Sequence, residues 1–192
     1  IHWPDKTTPI PDTMEAVAKL LEQGKIRAAG VSNYSVEQMQ EAETTIKLAS
    51  NQVPYSMVKR DIEKDVVPYC LAHKQAILAY SPMQLGLLTG KITPGYQFGE
   101  GDLRKTNSLF SGENLARVNA FLDKLRPMAE GKNATLAQIV LRWTIEQPGI
   151  TVALVGARNA QQATQNARAF DVKLSAEELD FINKQLAQLQ LT

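Results

Sequence analysis

Polar side chains lie at the ends of two neighbouring apolar runs of this chain. Ser32 and Asn33 come directly after the run 26–31, and Gln52 lies in the next run along the chain. Two carboxamides and a hydroxyl can together donate to and accept from a planar primary amide. Serine and asparagine also form turns and cap helices, and a helix is predicted to begin near Ser35. Taken alone, the group therefore leaves amide binding and turn formation both open.

A third apolar run, 76–80, ends in an aromatic residue and passes into a glycine-rich segment. Tyr80, at a strand end, can lie flat against a heteroaromatic ring. The backbone after it, with Gly86 and a nearby lysine, suits the binding of a pyrophosphate. A core tyrosine followed by a surface loop is the alternative. The residues of this group are Tyr80, Ser81, Pro82, Met83, Gln84, Leu85 and Lys91.

The last apolar run, 151–155, ends in Gly156 and Arg158 and leads into a helix that carries Gln162 and Asn166. Helix amides together with a cation favour an anion, and in many barrels this corner binds phosphate. Arg158 can bind a phosphate or stack on an adenine face. A solvated arginine at a helix start is the alternative.

His2 is the candidate acid of the sequence. At a strand end beside Trp3, its imidazole would point into the mouth of a barrel. The other histidine, His73, closes a predicted helix, where a cation interacts favourably with the helix dipole. We therefore interpret His73 as a structural residue.

The composition excludes several kinds of partner. Lys and Arg number 21 against 20 for Asp and Glu, so the net charge of +1 provides no field to attract nucleic acid or an acidic membrane surface. No apolar run approaches the roughly 18 residues that cross a bilayer. The single cysteine, Cys70, excludes an internal disulfide and a cysteine-based zinc cluster. A reducing cytoplasm is the default location, and assembly into a homo-oligomer stays open.

The apolar runs recur with a regular period. Three of them begin at positions 26, 51 and 76, which are 25 residues apart, and this matches one strand, loop and helix of a right-handed βαβ unit. The period predicts parallel strands at 26–31, 51–53, 76–80 and 151–155. Ligands bind at the carboxyl ends of such strands. The segment 1–3 resembles the end of a further strand, so the sequence predicts five strands in all.

Five strands fit the later part of a (β/α)8 TIM-type barrel, which has eight strands and typically about 250 residues. An open dinucleotide-binding sheet lacks support, because the chain has no Gly-x-Gly-x-x-Gly turn. The sequence begins without methionine, inside a predicted strand. We therefore expect residues 1–192 to be the carboxyl-terminal part of a single barrel domain, from the end of its fourth strand onward.

Helix starts are marked by local signals. Capping-box patterns begin helices at Ser35, Thr135 and Ser175, and Asn159 is placed to cap another. The helix from Ser35 is predicted to continue to about residue 48. The stretch 84–112 is rich in glycine and lacks periodicity, so it is predicted to be a long loop with a helical turn at 85–91. Loops of this length are usually functional or disordered.

Taken in order, these motifs resemble the aldo-keto reductases over nearly the whole chain. The residues Gly-Ala-Arg after the last strand are similar to the bacterial branch related to potassium-channel β-subunits. The branch with Lys-Ser at that point is less similar. The resemblance rests on Ile-His-Trp-Pro-Asp at 1–5, Gly-Lys-Ile-Arg-Ala-Ala-Gly-Val-Ser-Asn-Tyr-Ser at 24–35, Asn-Gln-Val-Pro-Tyr-Ser at 51–56, Ala-Tyr-Ser-Pro-Met at 79–83, Gly-Leu-Leu-Thr-Gly-Lys at 86–91 and Val-Gly-Ala-Arg-Asn at 155–159.

The resemblance implies an oxidoreductase that binds NADP(H) and reduces an aldehyde or ketone to an alcohol by hydride transfer. His2 matches the histidine that hydrogen-bonds the substrate carbonyl oxygen, and Trp3 would line the substrate pocket. The family's catalytic aspartate, tyrosine and lysine match no position here, so the role of proton donor is assigned to no residue of this sequence.

The resemblance also implies which residues hold the cofactor. Arg158 suggests that a 2′-phosphate is accommodated, hence NADP(H). The carboxamide clamp corresponds to Ser32, Asn33 and Gln52, the residue stacked on the nicotinamide to Tyr80, the pyrophosphate segment to Ser81, Pro82, Met83, Gln84, Leu85 and Lys91, and the adenosine-phosphate end to Gly156, Arg158, Gln162, Gln165 and Asn166.

Two other functions stay open at this point. A cofactor-binding regulatory subunit of the channel-β type would retain its cofactor tightly and show little turnover. A barrel isomerase or aldolase that uses only the phosphate corner would not bind a nicotinamide.

Overall fold

A computed structural model describes all residues from 1 to 192. They divide into two compact units. The first unit comprises Ile1–Tyr55, Lys59–Tyr80 and Gln147–Leu154, and the second comprises Ser56–Val58, Ser81–Glu146 and Val155–Thr192. That the whole chain belongs to a single barrel domain stays a prediction.

The first unit is a four-stranded sheet with three helices. All neighbouring strands are parallel and follow the order β1-β2-β3-β4, as the period of the apolar runs predicts. The strands are β1 (Ala29–Ser32), β2 (Leu48–Pro54), β3 (Ala76–Tyr80) and β4 (Ile150–Leu154), and the helices are α1 (Ile10–Glu22), α2 (Val36–Glu43) and α3 (Val66–His73).

The two faces of the sheet differ in burial, because successive side chains of a strand point to opposite sides. Asn51 and Val53 of β2 are buried, and Asn51 contacts Met39 of α2, so a helix covers this face. Gln52 points the other way and is half-buried. Ser32 is its register partner on β1 and therefore lies on the same face. The alternation thus brings the predicted amide-binding side chains together, on the face opposite α2.

The strand expected at 1–3 is not confirmed, and the sheet has four strands instead of five. The Ile1 amino group donates one hydrogen bond to the Gly30 carbonyl, at 2.8 Å. A strand requires a repeated ladder of such bonds. Pro4 has no amide hydrogen with which to continue the ladder.

Several boundaries also differ from the expected ones. α2 ends at Glu43 instead of near residue 48, and β2 begins at Leu48. Leu48 is buried and pairs with Ala29, so its apolar character serves the sheet and not the helix. β1 begins only at Ala29, where the register shifts between Ala29 and Gly30.

The second unit is helical. Its core includes Trp143, which is fully buried and whose indole N–H donates to the Asn183 side chain at 2.9 Å. The helical turn expected at 85–91 corresponds to the 3₁₀ segment Gln84–Thr89, and the stretch 84–112 contains two further short 3₁₀ segments, Leu103–Thr106 and Ser108–Phe110. The helices are α4 (Gly112–Gly131), α5 (Leu136–Glu146), α6 (Ala160–Ala167) and α7 (Ala176–Ala187).

The predicted helix starts are confirmed. Reciprocal capping boxes begin α2 at Ser35 and α7 at Ser175. At α5 the Thr135 hydroxyl accepts from the Gln138 backbone, and the Gln138 side chain accepts from the Thr135 backbone. Asn159 caps α6. No helix of the chain combines the length and the apolar character needed to span a bilayer.

Candidate functional site

In the first unit, five residues with predicted roles lie together where the strands end. We call His2, Ser32, Asn33, Gln52 and Tyr80 the strand-end cluster. The Tyr80 hydroxyl donates to Asn33 Oδ1 at 2.9 Å, and Asn33 Nδ2 donates to Ser32 Oγ at 3.0 Å. Ser32 Oγ in turn donates to the Gln52 backbone carbonyl at 2.7 Å. A continuous chain of hydrogen bonds therefore links β3, β1 and β2.

The backbone of Asn33 explains how its side chain reaches this position. Its φ of 61° lies in the left-handed region, which asparagine adopts more readily than most residues. The Asn33 N–H still donates to the Gln52 carbonyl at 2.9 Å, which extends the β1–β2 ladder one residue beyond the strand. The chain then turns into α2.

His2 joins the cluster through its backbone. Asn33 Nδ2 donates to the His2 carbonyl at 3.4 Å. The His2 ring is exposed and lies 5.9 Å from the Trp3 ring, at an angle of 55°. Trp3 is also exposed, by 57%. The structure thus places the predicted acid beside Asn33, and its role in catalysis stays a prediction.

Asn51 is a residue of this region to which the sequence reasoning gave no role. Its side chain is fully buried, and Nδ2 donates to the Tyr34 carbonyl at 2.9 Å and to Met39 Sδ at 3.3 Å. Its Oδ1 is buried and has no hydrogen-bond partner. Asn51 therefore anchors the residue that follows Asn33. The available signal was an amide at a position of β2 where the alternation calls for an apolar side chain.

In the second unit, the predicted pyrophosphate segment has an unusual backbone. Ser81, Gln84 and Leu85 all have positive φ, between 45° and 55°. Such conformations cost of order 1–3 kcal/mol each in non-glycine residues and concentrate at functional sites. Met83 (φ −96°, ψ 9°) precedes the left-handed Gln84. The Gln84 N–H donates to the Ser81 carbonyl at 2.8 Å and the Gly86 N–H to the Met83 carbonyl at 3.0 Å, so the segment forms two successive tight turns.

Side chains of the second unit hold this segment in place. Ser56 is fully buried, and its hydroxyl donates to Gln84 Oε1 at 3.1 Å. The Arg104 guanidinium donates to the Leu85 carbonyl at 3.3 Å. The same guanidinium bonds Asp102 and thereby lowers the pKa of that carboxyl to about 2. The sequence reasoning missed both Ser56 and Arg104. The only signal for Ser56 was its place at the end of the motif at 51–56.

The rest of the predicted pyrophosphate segment has fewer contacts of its own. Pro82 is buried, and the Met83 side chain is half-buried. Lys91 is exposed, and its backbone N–H donates to Thr89 Oγ1 at 3.3 Å. The structure thus leaves the Lys91 ammonium open to solvent.

The predicted adenosine-phosphate residues lie around the start of α6. The Arg158 backbone N–H donates to Gln162 Oε1 at 2.8 Å, and Asn166 Nδ2 donates to the Gly156 carbonyl at 3.2 Å. Gln162 and Asn166 are four residues apart and hence share one helix face. This face ties the loop 156–158 to the helix. The Arg158 side chain is exposed.

Gln165 differs from the other residues of this group. It is exposed, and its backbone carbonyl accepts from the Gln138 side chain of α5 at 2.9 Å. It also lines a cavity of about 330 Å³ together with Lys132, Thr135 and Arg168. Its assignment to the cofactor site stays a prediction, as do those of Gly156, Arg158, Gln162 and Asn166.

Known proteins of one enzyme family are similar to this chain in sequence and in structure. The model of the aldo/keto reductase family matches residues 1–187. The chain belongs to this family. It is 38% identical over 187 residues to the aldo-keto reductase YhdN of Bacillus subtilis, and the match covers 95% of this chain and 56% of that protein. It is 31% identical over 177 residues to the NADH-specific methylglyoxal reductase of Escherichia coli, with 91% and 54% covered.

Solved structures of this family are also similar to the chain. The glycerol dehydrogenase AKR11B4 from Gluconobacter oxydans superposes with a TM-score of 0.93 at 36% identity, over 98% of this chain and 57% of that one. The thermostable aldo-keto reductase Tm1743, solved with the inhibitor epalrestat, gives a TM-score of 0.74 at 26% identity, over 96% and 58%. The chain thus spans somewhat more than half the length of the relatives it matches.

Proposed function

We propose that the strand-end cluster holds the nicotinamide carboxamide of a dinucleotide and that the protein reduces small aldehydes or ketones to alcohols. The observation that carries the proposal is the hydrogen-bond chain from Tyr80 through Asn33 and Ser32 to Gln52. It places amide and hydroxyl groups at the carboxyl ends of three adjacent parallel strands, which is where ligands of α/β folds bind.

The side chains of the strand-end cluster fit a nicotinamide carboxamide. Asn33 Oδ1 has a second lone pair beside the one that accepts from Tyr80, and the half-buried Gln52 carboxamide can both donate and accept. The half-buried Tyr80 ring offers an apolar face. When bound, the reduced nicotinamide supplies the hydride that converts a carbonyl to an alcohol. The chain's own contribution is to hold the carboxamide and limit its rotation.

His2 is proposed to orient the substrate. Its exposed imidazole can donate a hydrogen bond to a carbonyl oxygen, and the exposed Trp3 ring can contact the rest of a small substrate. The role of proton donor is assigned to none of the tyrosines. The hydroxyls of Tyr55, Tyr69 and Tyr80 are each hydrogen-bonded to a protein side chain.

We propose NADP(H), because the exposed Arg158 at the start of α6 can bind a 2′-phosphate. One relative, from Escherichia coli, is named as NADH-specific, so NADH is the competing cofactor. We also propose that the four strands form part of a (β/α)8 barrel of a cytoplasmic protein, in keeping with its buried, unpaired cysteine.

Titration of the purified protein with NADPH and NADH, followed by nicotinamide fluorescence, tests the proposal. We expect saturable binding of NADPH and weaker binding of NADH. Absence of binding by both would contradict the proposal. Tight retention of the cofactor by the full-length protein, without NADPH oxidation in the presence of a reactive aromatic aldehyde, would favour a regulatory, cofactor-binding role instead.

A further inference from the structure

The carboxamide of Asn33 has a defined orientation. Its nitrogen faces the His2 backbone carbonyl, at 3.4 Å, and a carbonyl oxygen can only accept. It also faces Ser32 Oγ, at 3.0 Å. The Ser32 hydroxyl has one hydrogen, which it donates to the Gln52 carbonyl, so toward Asn33 it too can only accept. Both neighbours therefore require a donor, and Nδ2 is the donor of Asn33.

The opposite end of the Asn33 carboxamide is fixed by Tyr80. The Tyr80 hydroxyl donates to Asn33 Oδ1 at 2.9 Å. Because the two hydrogens on Nδ2 face His2 and Ser32, what Asn33 can offer a ligand is the second lone pair of Oδ1. Ser32 likewise has only an acceptor lone pair left. Asn33 and Ser32 therefore present acceptors and no donor to a ligand.

We infer that the Tyr80 hydroxyl, together with Ser32 and the His2 carbonyl, holds Asn33 in an orientation that makes the strand-end cluster select a ligand amide nitrogen and reject a carboxylate in the same place. This inference rests on the proposed function, since the ligand group is the nicotinamide carboxamide. An amide NH₂ can donate to Asn33 Oδ1, whereas a carboxylate oxygen in that place would face the lone pairs of Asn33 Oδ1 and Ser32 Oγ with no hydrogen between them. Tyr80 is thus a positioning residue that determines specificity.

Competition against NADPH provides the test. The inhibition constants of NADP⁺ and of its nicotinic acid analogue, which carries a carboxylate in place of the carboxamide, are measured for the wild-type protein and for Tyr80→Phe. Phenylalanine keeps the ring face and removes only the hydroxyl. We expect the wild type to prefer the amide by about tenfold or more, and Tyr80→Phe to reduce this ratio by about threefold or more.

Two further variants sharpen the test. Tyr69→Phe is the matched control, because the Tyr69 hydroxyl donates to Glu43, in a different cluster of side chains, and we expect its ratio to be that of the wild type. Ser32→Ala removes an acceptor that orients Asn33 Nδ2, and we expect its ratio to fall as well. It keeps the inference testable if Tyr80→Phe does not fold.

The outcomes separate the inference from the proposed function. A wild-type protein that binds neither NADPH nor NADH would overturn both. A wild type that binds NADPH but does not distinguish amide from acid would overturn the inference alone. So would an unchanged ratio in Tyr80→Phe, or, where that variant does not fold, in Ser32→Ala.

Discussion

Asn33 is the residue on which the contacts of the strand-end cluster converge. It extends the sheet through its backbone, turns the chain through its left-handed φ, and bonds Tyr80, Ser32 and His2 through its side chain. The residue types and their place after the strands could be predicted from the sequence. Their mutual orientation could not, because it depends on which hydroxyl donates to which oxygen.

Gln52 tests the proposed carboxamide clamp. Replacing it with alanine removes a donor and an acceptor from the strand-end cluster, and we expect NADPH binding to weaken by roughly 1–3 kcal/mol. Fluorescence titration measures the change. Gln40→Ala, at an exposed position of α2, is the matched control and should bind like the wild type. Unchanged affinity in Gln52→Ala would count against the clamp.

Arg158 tests the preference for NADP(H). If its guanidinium binds the 2′-phosphate, Arg158→Ala should weaken NADPH binding by about 1.5–3 kcal/mol and affect NADH much less. The dissociation constants of both cofactors are compared in the variant and in Arg168→Ala, which removes another exposed arginine next to α6. An equal loss for both cofactors would indicate stacking on the adenine instead.

At the scale of elements, local signals predicted the helix starts and tertiary pairing decided the strand bounds. The Ser35 box specifies the start of α2 because its hydrogen bonds are all within four residues. The start of β2 at Leu48 depends on Ala29, which lies 19 positions earlier in the chain. The apolar start of the chain predicts a fifth strand at 1–3, but the structure has none there. Apolar character does not show whether a ladder of hydrogen bonds forms.

Gly149 tests the packing of the turn that precedes β4. Its φ of 81° is costly for other residues, and a Cβ there would lie 2.9 Å from Val67 Cγ1 and 3.3 Å from Leu71 Cγ of α3. Because strain and overpacking add, we expect Gly149→Ala to lower the free energy of unfolding by about 2 kcal/mol or more. Urea unfolding measures this.

Gly99→Ala is the control for that experiment. Gly99 does not have positive φ, and a Cβ there would meet nothing within 4 Å. The free energy of unfolding should therefore change by no more than about 0.5 kcal/mol. Equal stability of the two variants would show that the turn before β4 adjusts to a side chain.

The loop between β3 and α4 contains the predicted pyrophosphate segment, so its mobility should depend on cofactor binding. Ser56 and Arg104 hold its left-handed residues Gln84 and Leu85, and a Cβ added at Gly95, Gly99 or Gly101 would meet nothing within 4 Å. We expect the stretch 84–112 to exchange its amide hydrogens more slowly with NADPH bound, because ligand binding orders such loops. Hydrogen exchange followed by mass spectrometry, with α7 as the internal reference, measures the effect. Equal exchange in both states would contradict it.

At the scale of the whole molecule, the α/β class with its parallel sheet could be predicted from the period of the apolar runs, and the family from motifs that occur in order along the chain; the family model covers residues 1–187. Substrate identity could not, since a pocket shaped by loops leaves no periodic signal in the sequence. The relatives also extend well beyond the matched region, which contributes somewhat more than half of their length.

Cys70, the single cysteine of the chain, provides a measure of folding. It is fully buried in α3, and its thiol donates weakly to Gln75 Oε1, at 3.7 Å. Burial and, to a lesser extent, the nearby charge of Glu43 raise the pKa of the thiol to about 11, from an ordinary value near 9. The folded state therefore favours the neutral thiol. This contribution to stability is fully present below about pH 9 and is lost as the pH rises through about 11.

The burial of Cys70 and the raised pKa of its thiol can each be tested by a measurement. At pH 8 without denaturant, Cys70 should react with an aromatic disulfide reagent far more slowly than a free thiol, and the reaction should accelerate in step with urea unfolding. The difference in unfolding free energy between the wild type and Cys70→Ala should be larger at pH 7 than at pH 10.5, because lysines and tyrosines titrate alike in both proteins. Immediate labelling of the folded protein, or a difference that grows with pH, would show that the thiol is accessible as a thiolate.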